Sequence, residues 1–237
     1  MALSKIEWTE ETWNPITGCT KCSDGCKHCY AATFARRLQA MGNPRYTNGF
    51  KVTVHEDLIE KPFDWKKPKL VFVNSMSDLF HDDVSDDIIL RIFDVMNRAS
   101  LHTFQVLTKR SKRLLNLSAR IKWTSNIWMG VSIENQSTIF RCEDLKKTNA
   151  AIKFISAEPL LGPLSILDLN NIDWLIVGGE SGAGSRPIEE AWVLDLQQMA
   201  ARTNTAFFFK QWGGFNKKKN GKLLQGKIVQ EYPHKVF

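Results

Sequence analysis

The chain has 237 residues, 43% of them hydrophobic and 24% charged, which excludes a disordered, collagen-like or coiled-coil protein. No stretch approaches the roughly 18 apolar residues of a membrane helix, and the opening MALSKIEWTE lacks the apolar core of a secretion signal; a cytoplasmic protein of one domain over residues 1–237 is expected. The 32 basic and 25 acidic residues give a net charge of +7, which suits a polyanionic partner such as nucleic acid without requiring one.

In chain order, a short first strand is expected over residues 13–16, with Pro15 opposing it. The loop of residues 18–31 follows. It places Cys19, Cys22, Cys26 and Cys29 within eleven residues. In a cytosolic chain such a cluster reads as metal ligation rather than as a disulfide scaffold. Cys22, Cys26 and Cys29 have the spacing C-x3-C-x2-C. Three thiolates on a tight loop can hold a [4Fe–4S] cluster and leave one iron open to a further ligand. Zinc is the alternative, because Cys19-x2-Cys22 and Cys26-x2-Cys29 look like two knuckles. Only three residues separate those pairs, whereas a zinc ribbon has about 15–20 there, and this favours iron and sulfide. Cys142 falls in a helix-like segment and reads as a small buried hydrophobe.

Six mostly apolar runs come next, at residues 70–73, 104–107, 127–131, 152–155, 174–177 and 206–209, with Lys153 the one charge among them. Their length and β-branched or aromatic content suit strands buried on both faces of a parallel sheet. Helices are expected over residues 86–96, capped by Ser85 with Asp86 and Asp87 in the first turn, over 188–201 behind Pro187, and over 137–147. This alternation implies an α/β fold. Every run leads into polar residues. These are Asn74, Ser75, Ser77 and Asp78, then Thr108, Lys109 and Arg110, then Ser132, Glu134 and Asn135. Further on come Ser156, Glu158 and Pro159, then Gly178, Gly179, Glu180 and Ser181, then Lys210, Gln211, Trp212 and Gly213. In a parallel barrel such positions share the rim where sites are built. Lys109, Arg110, Lys112 and Arg113 are candidate phosphate contacts on that rim, a solvated helix start being the other reading. The lysines at 217–219 with Asn220 and Gly221 predict the turn of a basic C-terminal hairpin over about residues 214–237.

Several stretches go together. They are Thr12-Trp13-Asn14-Pro15 with Gly18-Cys19, Gly25-Cys26 with Cys29-Tyr30-Ala31, and Phe72-Val73-Asn74-Ser75-Met76-Ser77-Asp78-Leu79-Phe80-His81. Thr103-Phe104-Gln105-Val106-Leu107-Thr108-Lys109-Arg110, Gly130-Val131-Ser132 and Glu158-Pro159-Leu160-Leu161-Gly162 continue the set, which ends with Val177-Gly178-Gly179-Glu180-Ser181-Gly182 and Phe208-Phe209-Lys210-Gln211-Trp212-Gly213. The chain thereby resembles the radical S-adenosylmethionine (radical-SAM) enzymes. It is more closely similar to the phage/prophage-associated three-cysteine-motif family of radical-SAM-like proteins.

The resemblance implies a partial or complete (β/α) TIM-like barrel of the radical-SAM type, with the cysteine loop at its mouth and a short C-terminal hairpin. It implies a [4Fe–4S] cluster and S-adenosylmethionine as cofactors, and a 5′-deoxyadenosyl radical as the reactive species. In the family pattern the ligands match Cys19, Cys26 and Cys29; Cys22 is the departure, and which three bind iron stays open. On the rim, Tyr30, Asn74, Ser75 and Asp78 are expected to hold the cofactor, with Asp78 on its amino group. Ser132 and Glu134 are expected at ribose hydroxyls, Gly178 and Gly179 as close backbone, and Glu180 on a further polar group. Lys109, Arg110, Lys210 and Trp212 are candidate substrate contacts, Trp212 by stacking on a base. The expected activity is repair or modification of nucleic acid or a nucleotide. The alternatives are radical chemistry on a small metabolite or peptide, and a zinc- or iron–sulfur-stabilised nucleic-acid-binding protein without catalysis. Acids at Asp78, Glu134, Glu158 and Glu180 on one rim favour a cofactor pocket over a phosphate groove. The expected partners are nucleic acid or a nucleotide, a partner protein and an electron donor such as flavodoxin or ferredoxin, with no membrane.

Overall fold

Each of the six apolar runs forms a strand in the computed structural model, which describes residues 6–233. The strands are β1 Glu11–Trp13, β2 Ile16–Thr17, β3 Thr53–Val54, β4 Leu70–Val73, β5 Thr103–Thr108, β6 Ile127–Ser132, β7 Ile152–Ala157, β8 Trp174–Gly178 and β9 Ala206–Gln211. The helices are α1 Tyr30–Ala40, α2 Glu56–Ile59, α3 Asp86–Arg98, α4 Ser111–Ser118, α5 Phe140–Lys146, α6 Glu190–Thr203 and α7 Lys217–Asn220. Seven strands pair in parallel in the order β1-β4-β5-β6-β7-β8-β9. The sheet curls into a half-barrel whose edges, β1 and β9, do not pair with each other. Of the two barrel forms expected, the partial one is observed.

Side chains alternate across each strand, so each face has its own core. On the helix-covered face Val71, Val73, Phe104, Val106 and Met129 pack with Ile89, Ile92, Phe93 and Leu114. On the inner face Phe72, Trp128, Phe154, Trp174 and Phe208 form an aromatic cluster that Trp8 covers. Trp8 sits 4.6 Å from Phe72 and 6.1 Å from Trp174, ring centre to ring centre. Such tilted and edge-on pairs add about 0.5–1.5 kcal/mol each beyond their burial. The cluster fills the inner face below the strand ends and leaves the rim for chemistry.

The first strand divides at Pro15, which has no N–H to donate. Residues before it join the main sheet as β1, where Trp13 pairs with Val73. Those after it form β2, antiparallel to β3. In α3 the Ser85 hydroxyl accepts from the Ile88 N–H at 3.4 Å, as a cap requires. The helix expected over 137–147 is broken, because Asn135 and Thr138 form a capping box around a short 3-10 turn at Gln136–Thr138 before α5 begins. No helix joins β7 to β8; Leu160, Leu164, Leu167, Leu169 and Ile172 of the connecting loop are buried instead.

The lysine turn is corrected too. Asn216 accepts from the Lys219 N–H through its carbonyl and its side chain, at 3.0 and 3.2 Å, and the segment closes into α7. The reversal falls at Gln225-Gly226, which have φ of 47° and 77° and lie between reciprocal Leu224–Lys227 bonds, as a two-residue hairpin turn requires. From there the chain returns antiparallel to β9, Gln230 facing Phe208. Residues 1–5 and 234–237, part of the expected start and hairpin, lie outside the described residues. Among the described residues no helix is long and apolar enough to cross a membrane.

Candidate active site

Because the strands are parallel, their polar C-terminal ends converge on one rim. There they enclose a cavity of about 470 Å³, within the usual range for small-molecule sites. Asn74, Ser75, Ser77 and Asp78 line it after β4, Thr108, Lys109 and Arg110 at the end of β5, and Ser132 at the end of β6. Ser156 and Glu158 at the end of β7, Glu180 and Ser181 after β8, and Lys210 and Gln211 at the end of β9 continue the wall. Cys19, Cys22, Cys26, His28, Cys29 and Tyr30 form the cysteine-loop side, and Ile6, Trp8, Phe72 and Leu107 give an apolar floor.

The cysteine loop is tied down at the ends of four strands, β4, β5, β6 and β8. It enters through Gly18, at φ +88°, where a Cβ would strike the Lys51 carbonyl. Only glycine adopts that conformation without strain. The Gly18 N–H donates to Met76 O at 3.0 Å and the Cys19 N–H to Phe50 O at 3.1 Å. Arg110 reaches Cys19 Sγ at 3.6 Å and Thr20 O at 3.2 Å. Ser23 Oγ donates to Glu134 Oε1 at 2.7 Å. Gly25 lets the loop lie directly on that carboxylate, since a Cβ there would be 2.5 Å from Glu134 Cγ. His28 Nδ1 pairs with Glu180 Oε2 at 3.0 Å, and the Tyr30 hydroxyl donates to Ser75 O at 2.5 Å.

Three rim acids expected at a cofactor are therefore engaged with the protein itself. Asp78 accepts from Thr108 Oγ1 at 2.7 Å, from the Phe80 and Lys109 N–H groups at 3.0 Å each, and from Arg110 at 3.2 Å. Glu134 is fully buried between Lys109 and Arg141, with Arg141 Nη1 at 2.8 Å. Burial opposes its ionisation, but the Lys109 and Arg141 charges outweigh that and hold its carboxyl below the ordinary 4.5. Glu180 takes Nε and Nη2 of Arg186 at 2.9 and 2.5 Å. Its burial is likewise overcome, here by hydrogen bonds from Arg186 and His28, and its pKa is lowered to about 2.

Other expected residues separate into those that line the cavity and those that do not. The four loop cysteines, Tyr30, Asn74, Ser75, Asp78, Lys109, Arg110, Ser132, Glu180 and Lys210 line it. Glu134, Gly178, Gly179 and Trp212 are not in its wall. Trp212 packs edge-on against Phe209 at 4.7 Å, and its Nε1 donates to Leu223 O at 2.9 Å, so its ring belongs to the protein's packing rather than to a base. Gly179 backs onto the Trp212 carbonyl, which explains its lack of a side chain without a cofactor. Lys109 and Arg110 already hold carboxylates, and Lys112 lies 5.8 Å over the Phe140 ring, so none of the three stands as a bare phosphate contact. Sequence reasoning missed the roles of Trp8, Ser23, His28, Arg141 and Arg186; Ser23 and His28 meet carboxylates 111 and 152 residues away, whereas Arg141 and Arg186 hold Glu134 and Glu180 only seven and six residues away.

The residues present fit an iron–sulfur cluster with a ligand beside it. All four loop cysteines are free thiols on the cavity wall, Cys22 exposed and the others half-buried. Among the described residues no three His, Cys, Asp or Glu side chains are already grouped as a metal site. A Cys22 hydrogen bond lowers the Cys26 thiol to about 5 against the effect of burial, and the Cys22 thiol is correspondingly raised. Burial and Asp78 raise Cys19 to about 11 despite Arg110. Asn74 sits at φ 59° with its Nδ2 buried and unpartnered on the same wall. Uncommon backbone of this kind persists where the surroundings hold it and clusters at functional sites, and an orphan donor calls for an acceptor.

A family model described as "Protein of unknown function (DUF5131)" matches residues 3–233. The chain belongs to that family. No curated protein matches it. Its structure is similar to a solved spore photoproduct lyase complexed with dinucleoside spore photoproduct, with a TM-score of 0.52 and 14% identity. The match covers 85% of this chain and 64% of that one, so the chain spans less than two thirds of the lyase. At that identity the likeness shows a shared fold.

Proposed function

We propose that the protein is a radical-SAM-type enzyme of the three-cysteine-motif kind that repairs or modifies nucleic acid or a nucleotide. The observation that carries this is the cysteine loop, fixed by strand-end contacts over a rim cavity that keeps an orphan donor at Asn74. Cys19, Cys26 and Cys29 would hold a [4Fe–4S] cluster, with S-adenosylmethionine in the cavity beside it. When bound, that pair supplies one-electron cleavage of a carbon–sulfur bond and a 5′-deoxyadenosyl radical. The chain's own residues do the rest. Arg110 steadies Cys19 and Thr20. Asn74 Nδ2 donates to a cofactor acceptor, and Ser132 offers its hydroxyl to a ribose. Ile6, Trp8, Phe72 and Leu107 exclude water from below. A flavodoxin or ferredoxin serves as electron donor. The likeness to a lyase solved with a dinucleoside photoproduct supports the substrate class.

The test is anaerobic purification, reconstitution with iron and sulfide, and reduction with dithionite in the presence of S-adenosylmethionine. The expected result is 5′-deoxyadenosine by mass spectrometry, absent in Cys26→Ala. One zinc and no iron in the protein would overturn the proposal.

A further inference from the structure

Glu158 differs from the other rim acids. Among the described residues it takes a hydrogen bond only from Lys210 Nζ, at 2.5 Å, and neither residue bonds to the cysteine loop. They stand at the ends of β7 and β9, with β8 between them. The pair passes beside Gly178, where a Cβ would lie in ordinary contact, 3.4 Å from Lys210 Cβ and 3.6 Å from Glu158 Cδ. Both side chains stay partly open, 15% for Lys210 and 21% for Glu158, and both line the cavity. The ammonium keeps two unused N–H groups and the carboxylate one unused oxygen.

Charge then restricts what can enter. Lys109, Arg110 and Lys210, the lysine and arginine side chains of the wall, each hold a carboxylate. A phosphate would find no uncompensated cation inside and would meet Glu158. An uncharged group carrying a donor beside an acceptor would use both halves of the pair. Below lie Trp8 and Phe72, and the Trp8 Nε1–H is buried without a partner. A flat heterocycle with a polar edge fits this combination, and every nucleobase has such an edge.

We infer that Glu158 and Lys210 read the hydrogen-bonding edge of one nucleobase held over the Trp8 and Phe72 floor, while the phosphates stay outside the cavity. This rests on the nucleic-acid reading above and names how the substrate is recognised. The test uses the reconstituted full chain and saturation-transfer NMR, with the dinucleoside monophosphates dTpdT, dCpdC, dApdA and dGpdG as probes. At least one should bind with saturation concentrated on its base protons. Its affinity should fall about tenfold or more in both Glu158→Gln and Lys210→Met. It should change little between about 50 and 200 mM salt, where phosphate-driven binding falls steeply. The double variant E158K/K210E keeps an ion pair with its ends exchanged; it should melt near the parent and should not recover binding. Parental affinity in both single variants, recovery by the exchange, or no binding of any probe would each overturn the inference. If 5′-deoxyadenosine forms while no probe binds, the base-reading pair fails and the radical-SAM reading stands. If a probe binds through the pair and no iron is incorporated, the reverse holds.

Discussion

Glu134→Gln tests whether the buried charges organise the site. Glu134 is 0% exposed and Arg141 is 3% exposed, with the Lys109 ammonium on the other carboxylate oxygen. Removing one member of a buried ion pair costs about 3–5 kcal/mol, because the remaining charge stays desolvated without compensation. Glutamine keeps the shape and can still accept from Ser23, so the lower figure applies. For a domain of this size each kcal/mol moves the melting temperature by about 2–4 °C, and a fall of about 6–12 °C is expected at pH 7. The pH dependence has a definite sign. The folded carboxyl titrates below its ordinary 4.5, so its contribution is fully present above that value and is lost as pH falls through the folded one. The gap between parent and variant should therefore narrow below about pH 4.5. Calorimetry or circular dichroism at pH 7 and at pH 4 reads both effects. A variant melting within about 1 °C of the parent at pH 7 would refute the account of Glu134 as a compensated buried anion.

Gly25→Ala should lower stability by about 1–3 kcal/mol through overpacking against Glu134, with a fall in iron incorporation that thermal melting and iron analysis would register together. Cys26→Ser and Cys29→Ser should abolish iron binding, whereas Cys22→Ser should keep it with an unchanged iron-to-protein ratio; loss of iron in Cys22→Ser would move the ligand set to the Cys22 triplet. Ser85→Ala removes the cap of α3 and should cost about 1 kcal/mol, with no change in iron content.

The sheet was legible because parallel strands with both faces buried are mostly apolar, with Lys153 and Lys210 the only charges in β4 to β9. In β6 every residue is buried. α1 was not, because the only residues it buries are Ala31 and Ala35, while Phe34 is exposed and Tyr30 turns to the cavity. Its apolar face is carried by two methyl groups and a half-buried Leu38. For the rim, sequence indicated the position of the acids and missed their partners. The Ser23–Glu134 bond spans 111 residues and the His28–Glu180 pair 152. A carboxylate at a strand end reads the same whether it will face a ligand or a cation delivered from elsewhere in the fold. Trp212 illustrates the same limit for aromatics: its neighbours Lys210 and Gln211 line the cavity, yet its indole turns to Leu223 and Phe209.

These partners explain how a basic chain carries an acidic rim. Asp78, Glu134 and Glu180 each combine a cation with a contact to the cysteine loop, directly or through Arg110. Each such group therefore does two things, neutralising the wall and fixing the loop. A short loop with two glycines, two lysines and four cysteines would otherwise lose its order to chain entropy. Here the order comes from strand ends that the two cores already hold, so the thiols and the cavity wall are positioned together when the sheet folds. Preorganised sites of this kind respond to changes far from the reacting atoms. Arg141, buried in α5 and outside the cavity wall, belongs to the site in that sense: it holds Glu134, which holds Ser23 three residues before Cys26.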